Sequence, residues 1–200
     1  MLGAAAGAWA AGDDPGDCVT GGEGRPTRCL YRSLLPSTGI VADCESDTRC
    51  RVGAYYGSPD APIPFATPPG WDALPRPKVY WHGATFAEVR FVSGAGAQVS
   101  YFFEARRRRI SPARAEVLGV DARRWLVARA AGRIIEVVQI FGGRPVARIE
   151  RPWAPGLSVR EAITAMHFDA DGRLTFTWLT GTERRPTTER VTVPSIPLSS

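Results

Sequence analysis

The sequence predicts an all-β chain: an antiparallel β-sandwich or barrel with at most two short helices and a disulfide-stapled, loop-rich N-terminal segment. Three observations carry that prediction. Short β-branched and aromatic segments recur at hairpin spacing, with glycine at each reversal. Leu174, Phe176 and Trp178 alternate with Arg173, Thr175 and Thr177, the period-two pattern of a half-buried strand. All four cysteines lie in the first quarter of the 200 residues.

In chain order, residues 2–11 are small and apolar, and Ala8-Trp9-Ala10 has the small-x-small pattern of a signal-peptidase site. Polar Gly12, Asp13, Asp14 and Pro15 follow, and no basic region precedes the stretch. Residues 1–11 therefore read as a signal-peptide remnant or a disordered tail. Cys18, Cys29, Cys44 and Cys50 stand 11, 15 and 6 residues apart, with no histidine among them. That spacing lacks the paired knuckles of a zinc ribbon. Residues 12–57 are instead expected to form a segment held by two disulfides, which implies an oxidising compartment such as a periplasm or the exterior. Three pairings are open, and Cys18 with Cys29 plus Cys44 with Cys50 is the most local. Residues 58–77 hold seven prolines interleaved with Ile63, Phe65 and Trp71, and predict an extended connector packed along the main domain.

An antiparallel β domain is expected over 78–194, with a tail over 195–200. Strands over 85–92 and 98–105 flank the turn Ser93-Gly94-Ala95-Gly96, and strands over 125–130 and 133–141 flank Ala131-Gly132. A strand over 146–151 follows Gly142-Gly143, and strands over 165–168 and 174–178 flank Asp169-Ala170-Asp171-Gly172. A closing strand runs over 187–193, and Pro194 and Pro197 end regular structure. Ser158 and Glu161 have capping-box spacing and open a short helix to Ala165. A second short helix is a candidate over 111–118, with Pro112 in its first turn. The apolar phase of the strands puts Val89, Phe91, Val99, Tyr101, Phe103, Trp125, Val127, Ile135, Val137, Ile140, Ile149, Phe168, Leu174, Phe176 and Trp178 in the core.

Composition narrows the function classes. Aromatics at 10% supply enough large side chains to exclude wholesale disorder, and no apolar run reaches the length of a membrane-spanning helix. Of the 25 basic side chains only Lys78 is lysine, and that ratio beside 27 alanines is what a GC-rich genome produces. The net charge of +5 is thus partly a codon effect and argues only weakly for nucleic acid, which is not expected as a partner. It divides unevenly, −3 over residues 11–60 and +8 over 61–200.

Catalytic signatures are sparse. His82 and His167 are the only histidines, and no G-x-S-x-G elbow occurs. Glu88, Glu104 and Asp121 form no evident pair for glycosidase work. Asp169-Ala-Asp171-Gly172 lacks oxygen ligands where a calcium loop needs them, since its first and twelfth positions would be His167 and Trp178. Gly94-Ala-Gly96 lacks the Walker lysine and the dinucleotide spacing. No catalytic residues, metal or cofactor are expected. Arg106, Arg107, Arg108 and Arg109 remain: adjacent guanidinium groups suit bidentate capture of carboxylate or phosphate. The competing reading is a solvated strand end partly neutralised by Glu104 and Glu116.

Ser93-Gly94-Ala95-Gly96-Ala97 followed by Tyr101 resembles, over fewer than ten residues, the Ser-Gly-rich hairpin of bacterial periplasmic lysozyme inhibitors of the membrane-bound C-type family. The tyrosine follows its Ser-Gly segment more closely in that family, and membership is not inferred. The resemblance implies a loop that enters an enzyme cleft. The expectation is an exported, periplasmic or secreted, non-catalytic bacterial β-domain binding an acidic protein or anionic envelope component. The alternatives are an inhibitor of the lysozyme-inhibitor type, or a hydrolase using His82 or His167.

Overall fold

The structure, a computed structural model, describes residues 13–21 and 26–194. The signal-remnant reading of residues 1–11 and the tail over 195–200 lie outside the described residues. The chain divides into two compact units, one of Met1–Phe91 with Phe102–Ile110, the other of Val92–Tyr101 with Ser111–Ser200. All sheets are antiparallel, as expected.

The first unit opens with β1 (Asp13–Asp14), β2 (Asp17–Val19), β3 (Thr27–Arg32), β4 (Thr38–Ser46), β5 (Arg49–Tyr56) and β6 (Ile63–Pro64). Strands β2 to β6 make one sheet in sequence order. Sequence composition suggests loops here, but β3, β4 and β5 are long paired strands that bury Tyr31, Ile40, Val41, Val52 and Tyr55. Disulfides join Cys18 to Cys29 and Cys44 to Cys50, the most local of the three pairings, each between residues directly opposite in register. Strands β7 (Lys78–Trp81), β8 (Phe86–Val92), β9 (Gln98–Glu104) and β10 (Arg109–Ile110) follow in the chain, in the order β1-β7-β8-β9-β10, with Val92 and Gln98–Tyr101 belonging to the second unit. Phe102 and Phe103 are both fully buried, so this part of β9 is covered on its two faces. The Phe103 ring meets Tyr56 and Trp81, with centroids 5.7 and 6.3 Å apart.

The second unit contains β11 (Arg114–Ala115), β12 (Val117–Asp121), β13 (Leu126–Ala131), β14 (Ile134–Gln139), β15 (Pro145–Glu150), α1 (Val159–Ala162), β16 (Ile163–Phe168), β17 (Arg173–Thr180) and β18 (Arg185–Thr192). Two meanders, β12-β13-β14-β15 and β16-β17-β18, face one core of Leu126, Ile135, Val137, Leu174, Phe176 and Trp178. At one margin β12 lies along β16. Arg151, just after β15, pairs with Glu189 of β18, and Trp153 bridges to Thr180 at the end of β17. The two meanders therefore pack face to face across this core. Arg124 pins the end of it: Nε donates to Asp121 at 2.6 Å, and Nη1 and Nη2 donate to the carbonyls of Val193 and Gly172.

All but two of the expected core residues are buried; Trp125 and Phe168 are half-buried. Trp125 sits in the β12–β13 turn at φ 54° with its ring against Phe141. Ser158 and Glu161 form the expected capping box, but α1 stops at Ala162 because extended Ile163 already pairs with Trp178. The candidate helix over 111–118 is instead strand. Arg114 pairs with Ser100, and buried Nη2 donates to the carbonyls of Gln139 and Ile140; Glu116 at φ 54° then separates β11 from β12. Burial pulls the Arg114 pKa down, aided by nearby Arg129.

Two predictions follow from burial and charge. Cys18 is exposed whereas Cys44 and Cys50 are buried, so mild dithiol treatment should reduce and alkylate Cys18–Cys29 first, as read by peptide mass mapping. Glu136 is buried between Arg129 and Arg148, and hydrogen bonds from Arg129 foremost hold its carboxyl below the ordinary range. That contribution is complete above the unfolded carboxyl's pKa of about 4.3 and is lost as pH falls through the lower native value. Glu136→Gln should flatten this acid limb in denaturant melts across pH.

Candidate functional site

The reversal from β9 to β10 carries the arginine run. Ala105 N–H donates to the Thr85 carbonyl at 2.8 Å, and Arg108 N–H closes the turn onto the Ala105 carbonyl at 3.3 Å. Arg108 takes φ 51°, and Arg109 lies opposite Glu104 in register. All four arginines are exposed. Because three of them occupy the turn itself, the run avoids the alternation that would aim two guanidinium groups at the core.

Glu104 organises this turn from beneath. Buried at 5% exposure, its carboxylate accepts from the Arg107 amide at 2.7 Å, the Thr85 hydroxyl at 3.1 Å and the Arg106 amide at 3.3 Å. These bonds fix the backbone of the run. Glu116, the other carboxylate considered as a neutraliser, accepts from Arg160 at 2.9 Å and from the Gln98 amide at 3.0 Å. The Arg108 guanidinium lies over the Tyr56 ring, 5.7 Å from its centroid. Burial foremost, with the Glu104 charge, pushes the Tyr56 phenol up to about 12, so it stays neutral beneath the cation.

The other chemistry-bearing residues have structural surroundings. His82 Nε2 stands 3.6 Å from buried Glu88, whose carboxylate takes Arg90 in a two-point contact at 2.9 and 3.1 Å. His167 is exposed, with Nε2 3.1 Å from Asp169. The hydroxyl in that network, Thr175, donates to Asp169. Arg190 donates to both Asp169 and Asp171, at 2.6 and 2.8 Å, so this hairpin's carboxylates are matched by a guanidinium. Hydrogen bonds from Thr175, then Arg190, hold the Asp169 carboxyl below its ordinary range. Glu88, Glu104 and Asp121 each have separate partners. Among the described residues no group of three His, Cys, Asp or Glu side chains is placed to hold a metal ion. The turn over 93–97 is an exposed hairpin tip, while Tyr101 is 3% exposed.

Arg28, Arg51 and Asp72 carry no sequence signal, yet they line one open groove in the first unit. Their relation depends on strand register, and the register is invisible until β3, β4 and β5 are paired.

Glu104→Ala removes three hydrogen bonds to the turn. It should cost about 2–3 kcal/mol in denaturant unfolding and speed amide exchange at Arg106 and Arg107, whereas Arg106→Ser should leave stability nearly unchanged. No known protein family, characterised protein or solved structure is detectably similar to the chain.

Proposed function

We propose that this is an exported, non-catalytic bacterial β-protein, periplasmic or secreted, that binds an acidic protein or an anionic envelope component through Arg106, Arg107, Arg108 and Arg109. The observation that carries the reading is the buried Glu104 clamp, which holds the backbone of the run while all four side chains face solvent. A turn already ordered loses less entropy on engaging a ligand than a flexible cationic loop would. Guanidinium forks add directional, bidentate recognition of carboxylate or phosphate.

Charge distribution points the same way. Met1–Phe91 with Phe102–Ile110 holds twelve basic and eleven acidic side chains, and four of the twelve are these arginines. Outside the turn this unit is therefore net acidic, so the turn is a local positive source against a negative background, suited to orienting an anionic partner. Two disulfides fit an oxidising compartment. Among the described residues no helix is long and apolar enough to cross a membrane.

The test uses polyaspartate and phosphatidylglycerol vesicles as probes. Replacing all four arginines by serine should weaken capture at least about tenfold at low ionic strength, and salt should erase the difference as screening takes over. Near-UV circular dichroism checks that the fold persists. Unchanged capture at low salt by the folded variant would overturn the reading.

A further inference from the structure

The outer face of the sheet β2–β6 forms the floor of an open groove of about 1080 Å³, with residues 67–74 as one wall. That volume is of the size that takes small ligands. The wall is fixed to the floor: Cys50 N–H donates to the Leu74 carbonyl at 2.7 Å, Arg76 N–H donates to the Asp47 carbonyl at 2.8 Å, and the Cys44–Cys50 disulfide joins the two strands beneath. The groove is thus ordered before any ligand arrives.

Its floor carries the cross-strand row Arg28–Asp43–Arg51, in register across β3, β4 and β5. Arg28 takes both oxygens of Asp43, through Nε at 2.6 Å and Nη2 at 3.0 Å, and donates Nη1 to Asp60 at 2.5 Å. Arg51 is exposed and has no carboxylate partner among the described residues. The second unit supplies an internal comparison, the row Arg129–Glu136–Arg148 across β13, β14 and β15. There both arginines donate to the central carboxylate. The same three-strand arrangement is self-satisfied in one unit, and in the other it leaves the outer guanidinium without a carboxylate partner among the described residues.

Asp72 on the wall is the counterpart: exposed, with no guanidinium partner among the described residues. Among the described residues the lining is balanced, with Arg28, Arg49 and Arg51 against Asp43, Glu45 and Asp72. A balanced groove gives no long-range advantage to a polyanion or a polycation, but it does favour a neutral ligand whose own charges are separated. Leu74 and Pro26 add apolar lining between the polar groups. We infer that the groove binds short zwitterionic peptides, Arg51 taking the terminal carboxylate and Asp72 the terminal ammonium. This site is independent of the arginine turn.

Nitrogen-15 NMR on the full chain tests it, following the Arg51 Nε–Hε signal and the backbone amides of residues 72–74. Titration with the tripeptide Ala-Ala-Ala should shift these signals saturably, with a Kd of about 1 mM or tighter. N-acetylation, C-amidation, Arg51→Gln and Asp72→Asn should each weaken binding about tenfold, with the remaining amide spectrum certifying the fold. Serine at positions 106–109 should leave the titration unchanged, so failure of the turn reading and failure of this one are distinguishable. No saturable shift at about 10 mM peptide, capped peptides binding equally well, or unaltered binding by both variants would overturn the proposal. Free alanine binding as tightly as the tripeptide would overturn it as a peptide site.

Discussion

An all-β chain must dispose of its sheet edges, because an unpaired row of backbone amides and carbonyls invites association with another chain. The two units meet that constraint differently. In the second, the edge strand β12 is brought against β16, and Arg151, just after β15, reaches Glu189 of β18 by a side-chain ion pair. In the first, the edge strands are very short, β1 and β6 holding two residues each and β2 three. They are fastened by side chains. Cys18 is bonded to Cys29, and the Trp81 indole donates to Asp14 at 2.8 Å. The Cys18–Cys29 disulfide thus fastens an edge strand, whereas Cys44–Cys50 ties together the interior strands β4 and β5.

How much of this was legible in the sequence depends on where apolar alternation is clean. Leu174, Phe176 and Trp178 alternate with polar neighbours, so β17 and its hairpin with β18 were readable, as were the strands from β8 to β15 apart from β10, β11 and β12. The sheet β2–β6 was not. Its strands carry arginine and aspartate on the outer face, and Gly39 and Gly53 look like turn residues. Both sit in mid-strand for another reason: a Cβ on Gly39 would lie 2.3 Å from the Tyr31 carbonyl oxygen, and one on Gly53 would lie 2.7 Å from that of Ile63. They permit close strand approach, which a composition-based reading mistakes for a loop.

The arginine run was visible as a cluster, but its meaning turned on Glu104. Sequence proximity suggests that Glu104 neutralises its neighbours. In the fold its carboxylate accepts from the amides of Arg106 and Arg107, a consequence of the tight reversal after Ala105 that spacing alone does not reveal. The groove lay further from view, because Arg28, Asp43 and Arg51 become neighbours only through register.

Net charge is consequently a poor guide to where this protein can bind. The second unit has the larger excess, thirteen basic against nine acidic side chains. Yet eight of those thirteen sit in ion pairs with carboxylates, and Arg114 and Arg124 are further engaged by carbonyl oxygens at turns. Exposed pairs of this kind contribute little stability individually, but each commits a guanidinium that a partner would otherwise find available. The first unit is nearly balanced overall, and it concentrates exposed positive charge in one clamped turn while leaving Arg51 without a carboxylate partner among the described residues. Where guanidinium groups are exposed is therefore set by backbone order and strand register, and the total charge of a unit does not report it.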